Sequence, residues 1–122
     1  MEDNKSNSSY AVLIGIDFYF PNKLPNGGYY PSLGGCVSDI NRIENFLIQK
    51  VGFNSNNIMK IAASNTGKTE PPESSEKLPT YQNMIMAFNQ VTERAASGDQ
   101  VCIYYSGHGG RATTAYPTLK IS

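Results

Sequence analysis

Val101-Cys-Ile-Tyr-Tyr-Ser-Gly-His-Gly-Gly110 decides how this chain reads. Five apolar residues in a row, Val101 to Tyr105, form the pattern of a strand buried on both faces, as in a parallel sheet covered by helices. The run stops in small residues around His108, the chain's single histidine. One imidazole is thereby set on a tight turn at the carboxyl end of a central strand, where open α/β sheets gather ligands and chemistry. Small neighbours let a substrate backbone come close, and Gly109 and Gly110 can offer bare N–H groups to a developing oxyanion. His108 is the candidate catalytic base.

Upstream of that strand the pattern alternates. Ala11-Val-Leu-Ile-Gly-Ile16 reads as another buried strand, stopped at Asp17. A loop rich in Pro, Asn and Gly runs from Phe20 to about Gly35, with Asn26-Gly27-Gly28 as its turn. Val37, Ile40, Ile43, Phe46 and Leu47 recur at helical spacing, with Asp39, Arg42, Glu44 and Asn45 on other faces. That helix should end near Lys50, with Gly52 just past it. Ile58 to Ile61 is a short strand. Residues 64–79, low in hydrophobicity and carrying three prolines, read as a mobile surface loop. Thr80 looks like the N-cap of a helix whose apolar stripe is Tyr81, Met84, Ile85, Phe88, Val91 and Ala95. Ser97-Gly98-Asp99 then turns the chain into the strand at 101–105. The order β-α-β-α-β predicts a parallel sheet with right-handed crossovers. Residues 1–9 form a disordered polar tail, and residues 10–122 read as the front part of one α/β domain.

Composition narrows the classes of function. The 122 residues suffice for one domain with a real core. Ten basic and ten acidic residues, with no block of either sign, leave no electrostatic footprint for nucleic acid or a membrane surface. The first nine residues lack an apolar segment, and no run approaches the ~20 residues that span a bilayer, so neither a signal peptide nor a membrane anchor is expected. Cys36 and Cys102 cannot build a disulfide framework, nor a zinc site with one histidine. A cytoplasmic location is the expectation.

Four segments, in order, resemble the caspase-like clan of cysteine peptidases, and its metacaspase branch most closely. They are Tyr10-Ala-Val-Leu-Ile-Gly-Ile-Asp-Phe-Tyr19, Leu33-Gly-Gly-Cys-Val-Ser-Asp39, the helix leading to Gly98-Asp99, and Tyr105-Ser-Gly-His-Gly-Gly110. The resemblance implies a three-layer α/β caspase-like fold with a parallel central sheet, of which this chain holds the first three strands. It implies a thiol protease in which a histidine at the end of the third strand pairs with a cysteine at the end of the fourth. The thiolate attacks the scissile carbonyl, and water releases the acyl-enzyme. By motif position His108 is that histidine, and Gly109 is the residue whose N–H helps hold the oxyanion. Asp39 and Ser106 correspond to walls of a pocket that selects Arg or Lys before the scissile bond through a charge-assisted hydrogen bond.

The pattern departs from the family at its end. In caspases the cysteine lies roughly 50 residues beyond the histidine, and no cysteine follows His108 here. The acidic loop that binds calcium in many metacaspases is also absent, so no cofactor is evident and a calcium site would lie outside this chain. By the family mechanism the chain alone should be inactive, with the remaining part of the domain supplied in cis or in trans.

Each site has a blander reading. Asp39, in a first helical turn, also meets the helix dipole favourably, and Ser106 is ordinary where a strand breaks. Cys102 reads as an inert core thiol, and Cys36 as an auxiliary or structural cysteine at a helix start. Gly67-Lys68-Thr69 resembles a phosphate loop, but Glu70-Pro71-Pro72 follows where a helix would be needed. Lys68 and Lys77 read as exposed sites for proteolytic nicking. Tyr29, Tyr30, Tyr104 and Tyr105 read as packing residues. Two other classes compete: a non-catalytic caspase-like module that binds or regulates a full-length homologue through its open sheet edge, and a small nucleotide-binding protein, which lacks a Gly-rich loop opening a helix.

Overall fold

The central element of the sheet is β1, Ser9–Ile16, whose run of small and branched apolar residues has neighbours on both faces and both edges. In a computed structural model that describes residues 7–21 and 26–109, it is followed by α1 (Cys36–Phe46), β2 (Ile58–Ala63), α2 (Tyr81–Arg94) and β3 (Gln100–Ser106). The three strands are parallel in the order β2-β1-β3. β1 starts at Ser9, two residues earlier than its apolar run, because the Ser8 N–H donates to Asp99 and the Ser8 carbonyl accepts from the Gln100 N–H.

Strand periodicity divides β1 between two helices. Tyr10, Val12 and Ile14 pack with Ile61 against Ala87 and Val91 of α2. Ala11 and Leu13 face the other way, against Ile40 of α1 and Leu47 and Phe53 beyond it. Each fully buried Val, Leu or Ile contributes about 1.5–3 kcal/mol, and this strand supplies more of the buried core than any other element.

Two residues at the end of β1 set how α1 meets the sheet. A Cβ on Gly15 would fall 2.8 Å from the carbonyl oxygen of Cys36 and 3.1 Å from the Ile40 side chain. Only glycine lets the helix start that close. Asp17 is buried, and its carboxylate accepts the N–H groups of Gly35 (3.1 Å), Cys36 (2.8 Å) and Val37 (3.2 Å). The local N-cap position, Gly35, has no side chain to do this. A strand-end carboxylate therefore satisfies the free amides of the helix and meets its positive end.

The other helix ends follow local chemistry. α1 runs into a single π-helical turn, Leu47–Val51, closed by Gly52 at φ 93°. Thr80 caps α2 by accepting the Asn83 N–H at 3.1 Å. Residues 64–79 hold one short 3₁₀ turn, Ser75–Lys77, and are tied in place by Ser64 to Glu73 and by Asn83 to the carbonyls of Ser75 and Leu78. The mobility predicted for them stands as an expectation.

Two expectations are corrected. Among the described residues β3 is an edge strand, not the central strand buried on both faces that its apolar run predicts, and β1 is central. Val101, Ile103 and Tyr105 leave 44, 59 and 48% of their surface exposed, because α2 lies over β1 and β2. Cys102 and Tyr104, on the opposite face, do pack against the α1 cluster. The buried stripe of α2 is also rotated from the one predicted. Ala87 joins Met84, Phe88 and Val91 at the core, while Tyr81 and Ile85 are exposed.

Replacing Asp17 with Ala leaves three helix-terminal amides without their acceptor, and should lower stability by about 2–3 kcal/mol in urea unfolding. Gly15→Ala should cost about 1–3 kcal/mol by forcing α1 away from the sheet. A loss within about 0.5 kcal/mol for Asp17→Ala would show that the cap does not hold the helix.

Candidate active site

The carboxyl ends of β1 and β3 and the amino end of α1 converge, and the loop after β1 closes over them. That loop is pinned at both ends. The Leu33 N–H donates to the Asp17 carbonyl at 2.6 Å, and the Tyr19 N–H donates to Ser32 Oγ at 3.0 Å. These bonds fix Tyr19, Tyr30 and Pro31 beside the end of β3.

His108 sits in that enclosure. A Cβ on the preceding Gly107 would lie 2.7 Å from the Tyr19 hydroxyl and 2.8 Å from that of Tyr105, so a side chain there would push on both phenols. The His108 N–H donates to the Tyr19 hydroxyl at 2.7 Å, and the Tyr105 hydroxyl donates to the His108 carbonyl at 2.6 Å. The imidazole packs against Tyr19, edge-on at 4.8 Å between ring centroids, and against Tyr30 at 5.0 Å.

The ring's hydrogen bonding fixes its chemistry. Nε2 lies 2.9 Å from the carbonyl oxygen of Pro31. A carbonyl can only accept, so in the neutral ring Nε2 carries the proton and Nδ1 keeps its lone pair. An imidazole oriented by a backbone acceptor, with the other nitrogen unpartnered among the described residues, can take a proton from a neighbouring nucleophile.

Asp39 and Ser106 lie 67 positions apart in sequence and touch in space. Ser106 is in register with Gly15, which puts it on the α1 face of the sheet. Its Oγ donates to Asp39 Oδ2 at 3.1 Å. The second carboxylate oxygen, Oδ1, accepts from Arg42 Nη2 at 2.6 Å. Arg42 lies one helical turn on and is 72% exposed, so this pair is worth only about 0.3–0.5 kcal/mol. Asp39 is thus a carboxylate lightly held by an exposed guanidinium of its own helix.

The other predicted residues fall as follows. Gly109 is exposed at the end of the turn, with open space where a side chain would be. Gly110 and residues 111–122 lie outside the described residues. Cys36 opens α1, partly exposed, with its N–H on Asp17. No helix follows Gly67-Lys68-Thr69 before α2, so no anion cradle forms there. Among the described residues no group of three His, Cys, Asp or Glu side chains is placed to hold a metal ion.

Tyr19, Pro31 and Arg42 contact the candidate site residues and were not singled out by the sequence reading, while Tyr30, read as a packing residue, packs on the imidazole. The aromatic cluster Phe18-Tyr19-Phe20 directly after a strand was the available signal for the first. Tyr105 also has more than a packing role. Desolvation of its hydroxyl, then the neighbouring Tyr19 hydroxyl and the nearby Tyr19 and Cys36 charges, push its pKa from 10.0 up to about 12.

Fold and site together define a partial caspase-like α/β domain. The chain belongs to the metacaspases: the family described as metacaspase, peptidase C14 domain, a family of cysteine peptidases, matches residues 10–118. It is 34% identical over 101 residues to metacaspase-4 of Arabidopsis thaliana, covering 83% of this chain and 20% of that protein. It is 31% identical over 102 residues to metacaspase-1 of Mycosarcoma maydis, covering 84% of this chain and 21% of that protein. Metacaspase-6 of Arabidopsis thaliana is 34% identical over 101 residues, covering 83% and 23% respectively. The chain therefore spans about one fifth of the length of these curated relatives.

A phenol with a raised folded pKa holds its proton more tightly when folded than when unfolded. Its contribution to stability is therefore lost as pH rises from about 10 towards about 12. The stability advantage of the native chain over Tyr105→Phe should shrink across that window, measured as urea midpoints of both proteins. An advantage that stays constant would place the Tyr105 hydroxyl in water.

Proposed function

We propose that this chain is the amino-terminal, histidine-bearing portion of a metacaspase-like cysteine endopeptidase that cleaves peptides and proteins after Arg or Lys. The observation that carries this reading is His108, with Nε2 on Pro31 and Nδ1 without a partner among the described residues, two residues past the Ser106 that bonds Asp39. In this reading His108 Nδ1 takes the proton from a cysteine thiol, and the thiolate adds to the scissile carbonyl carbon. The Gly109 N–H stabilises the oxyanion. The imidazolium returns its proton to the departing amine, and His108 then activates the water that releases the acyl group. Asp39 exchanges Arg42 for the substrate's cationic side chain, and Ser106 holds the carboxylate in place. The nucleophile is neither Cys36 nor Cys102 but a cysteine of the remaining part of the domain, in cis or in trans. The chain alone is then inactive.

One observation favours a second reading. The outer edge of β3 and its apolar face are open among the described residues, which suits a non-catalytic module that docks on a full-length homologue by strand addition. Binding such a homologue without any thiol-reactive labelling would select this reading.

In the polypeptide or complex that supplies the cysteine, His108→Ala should lower kcat/KM on an Arg peptide by about 10²–10⁴. Asp39→Asn should lower the preference for Arg over Gln at the same position by about 10² or more. Unchanged turnover in His108→Ala would overturn the catalytic assignment, and an unchanged preference in Asp39→Asn the pocket assignment.

A further inference from the structure

The described residues line an open cavity of about 480 Å³ on the side of the sheet opposite Asp39 and Ser106. Its walls include Ile16, Phe18, Tyr19, Tyr30, Ala63 and Leu78, and no lining side chain is charged. The register fixes which face it occupies. Ile16 pairs with Ala63 and follows Tyr10, Val12 and Ile14, the α2-facing set of β1. Leu78 and Thr80 lie just before the start of α2. Asp39 and Ser106 belong to the α1-facing side. His108 stands between the two, because Tyr19 and Tyr30 both line the cavity and both pack on its imidazole.

An extended peptide turns successive side chains to opposite faces. If one side chain reaches Asp39 on the α1 side, its immediate neighbour is directed to the α2 side, where this uncharged cavity opens. The volume is within the range of pockets that hold small ligands and exceeds what one leucine or phenylalanine side chain needs. We propose that the cavity is a second peptide subsite, taking an apolar side chain directly adjacent to the cationic residue. This rests on the reading of Asp39 as the cationic pocket. An occupant would also press on the two tyrosine rings that flank His108, so apolar recognition and the placement of the imidazole are joined.

The test is an NMR titration of the intact chain with blocked dipeptide amides: Leu-Arg, Arg-Leu, Gly-Arg, Arg-Gly and Leu-Glu. In one of the two orders, the leucine peptide should bind about tenfold tighter than its glycine counterpart. Its binding should shift the resonances of Ala63 and Leu78. Leu78→Asp should bring that ratio to about one. Shifts at Asp39 and Ser106 report the cationic pocket separately. Leucine and glycine peptides that bind alike, or leave Ala63 and Leu78 unshifted, overturn the subsite while the reading of Asp39 stands. Leu-Glu that binds as tightly as Leu-Arg and shifts Ala63 supports the subsite and overturns the cationic pocket. No shift with any peptide overturns the proposal.

Discussion

The carboxylate of Asp17 is the point on which the rest depends. Its side chain takes the three free amides that open α1, while its own N–H and that of Phe18 converge on the Ala63 carbonyl of β2. Its carbonyl accepts the Leu33 N–H, so one residue ties together two strands, a helix and the loop that holds Tyr30 and Pro31. Burying a carboxylate is costly unless charge-assisted hydrogen bonds and a helix dipole offset it, and both are present here. Through that residue the orientation of α1 fixes Asp39, and the closure of the loop fixes the acceptor for His108.

The sheet then divides the site. Its α1 side offers a carboxylate held by a serine and an exposed arginine, and its α2 side offers an uncharged cavity. His108 stands at the boundary, held by backbone and phenol contacts that leave one nitrogen for chemistry. Arg42 is the cation paired with Asp39 among the described residues. Its pairing is weak because both partners are partly in water.

What could be read from sequence was local. Thr80 stands immediately before its helix, and Gly52 immediately after the turn it ends, so both boundaries follow from chemistry within a few residues. The cap of α1 was hidden because it comes from Asp17, 18 positions before Gly35, where no local pattern points to it. Strand order was equally hidden. The runs at 11–16 and 101–105 are similarly apolar, and nothing in either says which has neighbours on both edges. The exposed face of β3 is apolar enough to have read as core. The stripe of α2 was misplaced by one step because Ala87, small and weakly hydrophobic, is the residue that lets the helix approach β1. The expectations for Asp39, Ser106 and His108 came from motif resemblance; Pro31 contacts the imidazole through a backbone carbonyl that no residue type announces, and Tyr19, which does so through its hydroxyl and ring, had only the aromatic cluster after the strand as a signal.

The most direct measurement is the tautomer of His108, read from ¹⁵N–¹H long-range correlations of the imidazole; with one histidine in the chain its assignment is unambiguous. The account predicts a neutral ring protonated at Nε2, with the nitrogen shifts of an unprotonated Nδ1. A neutral ring protonated at Nδ1 would turn the Nε2 lone pair towards the Pro31 carbonyl, and would contradict the proposal that His108 acts as the base.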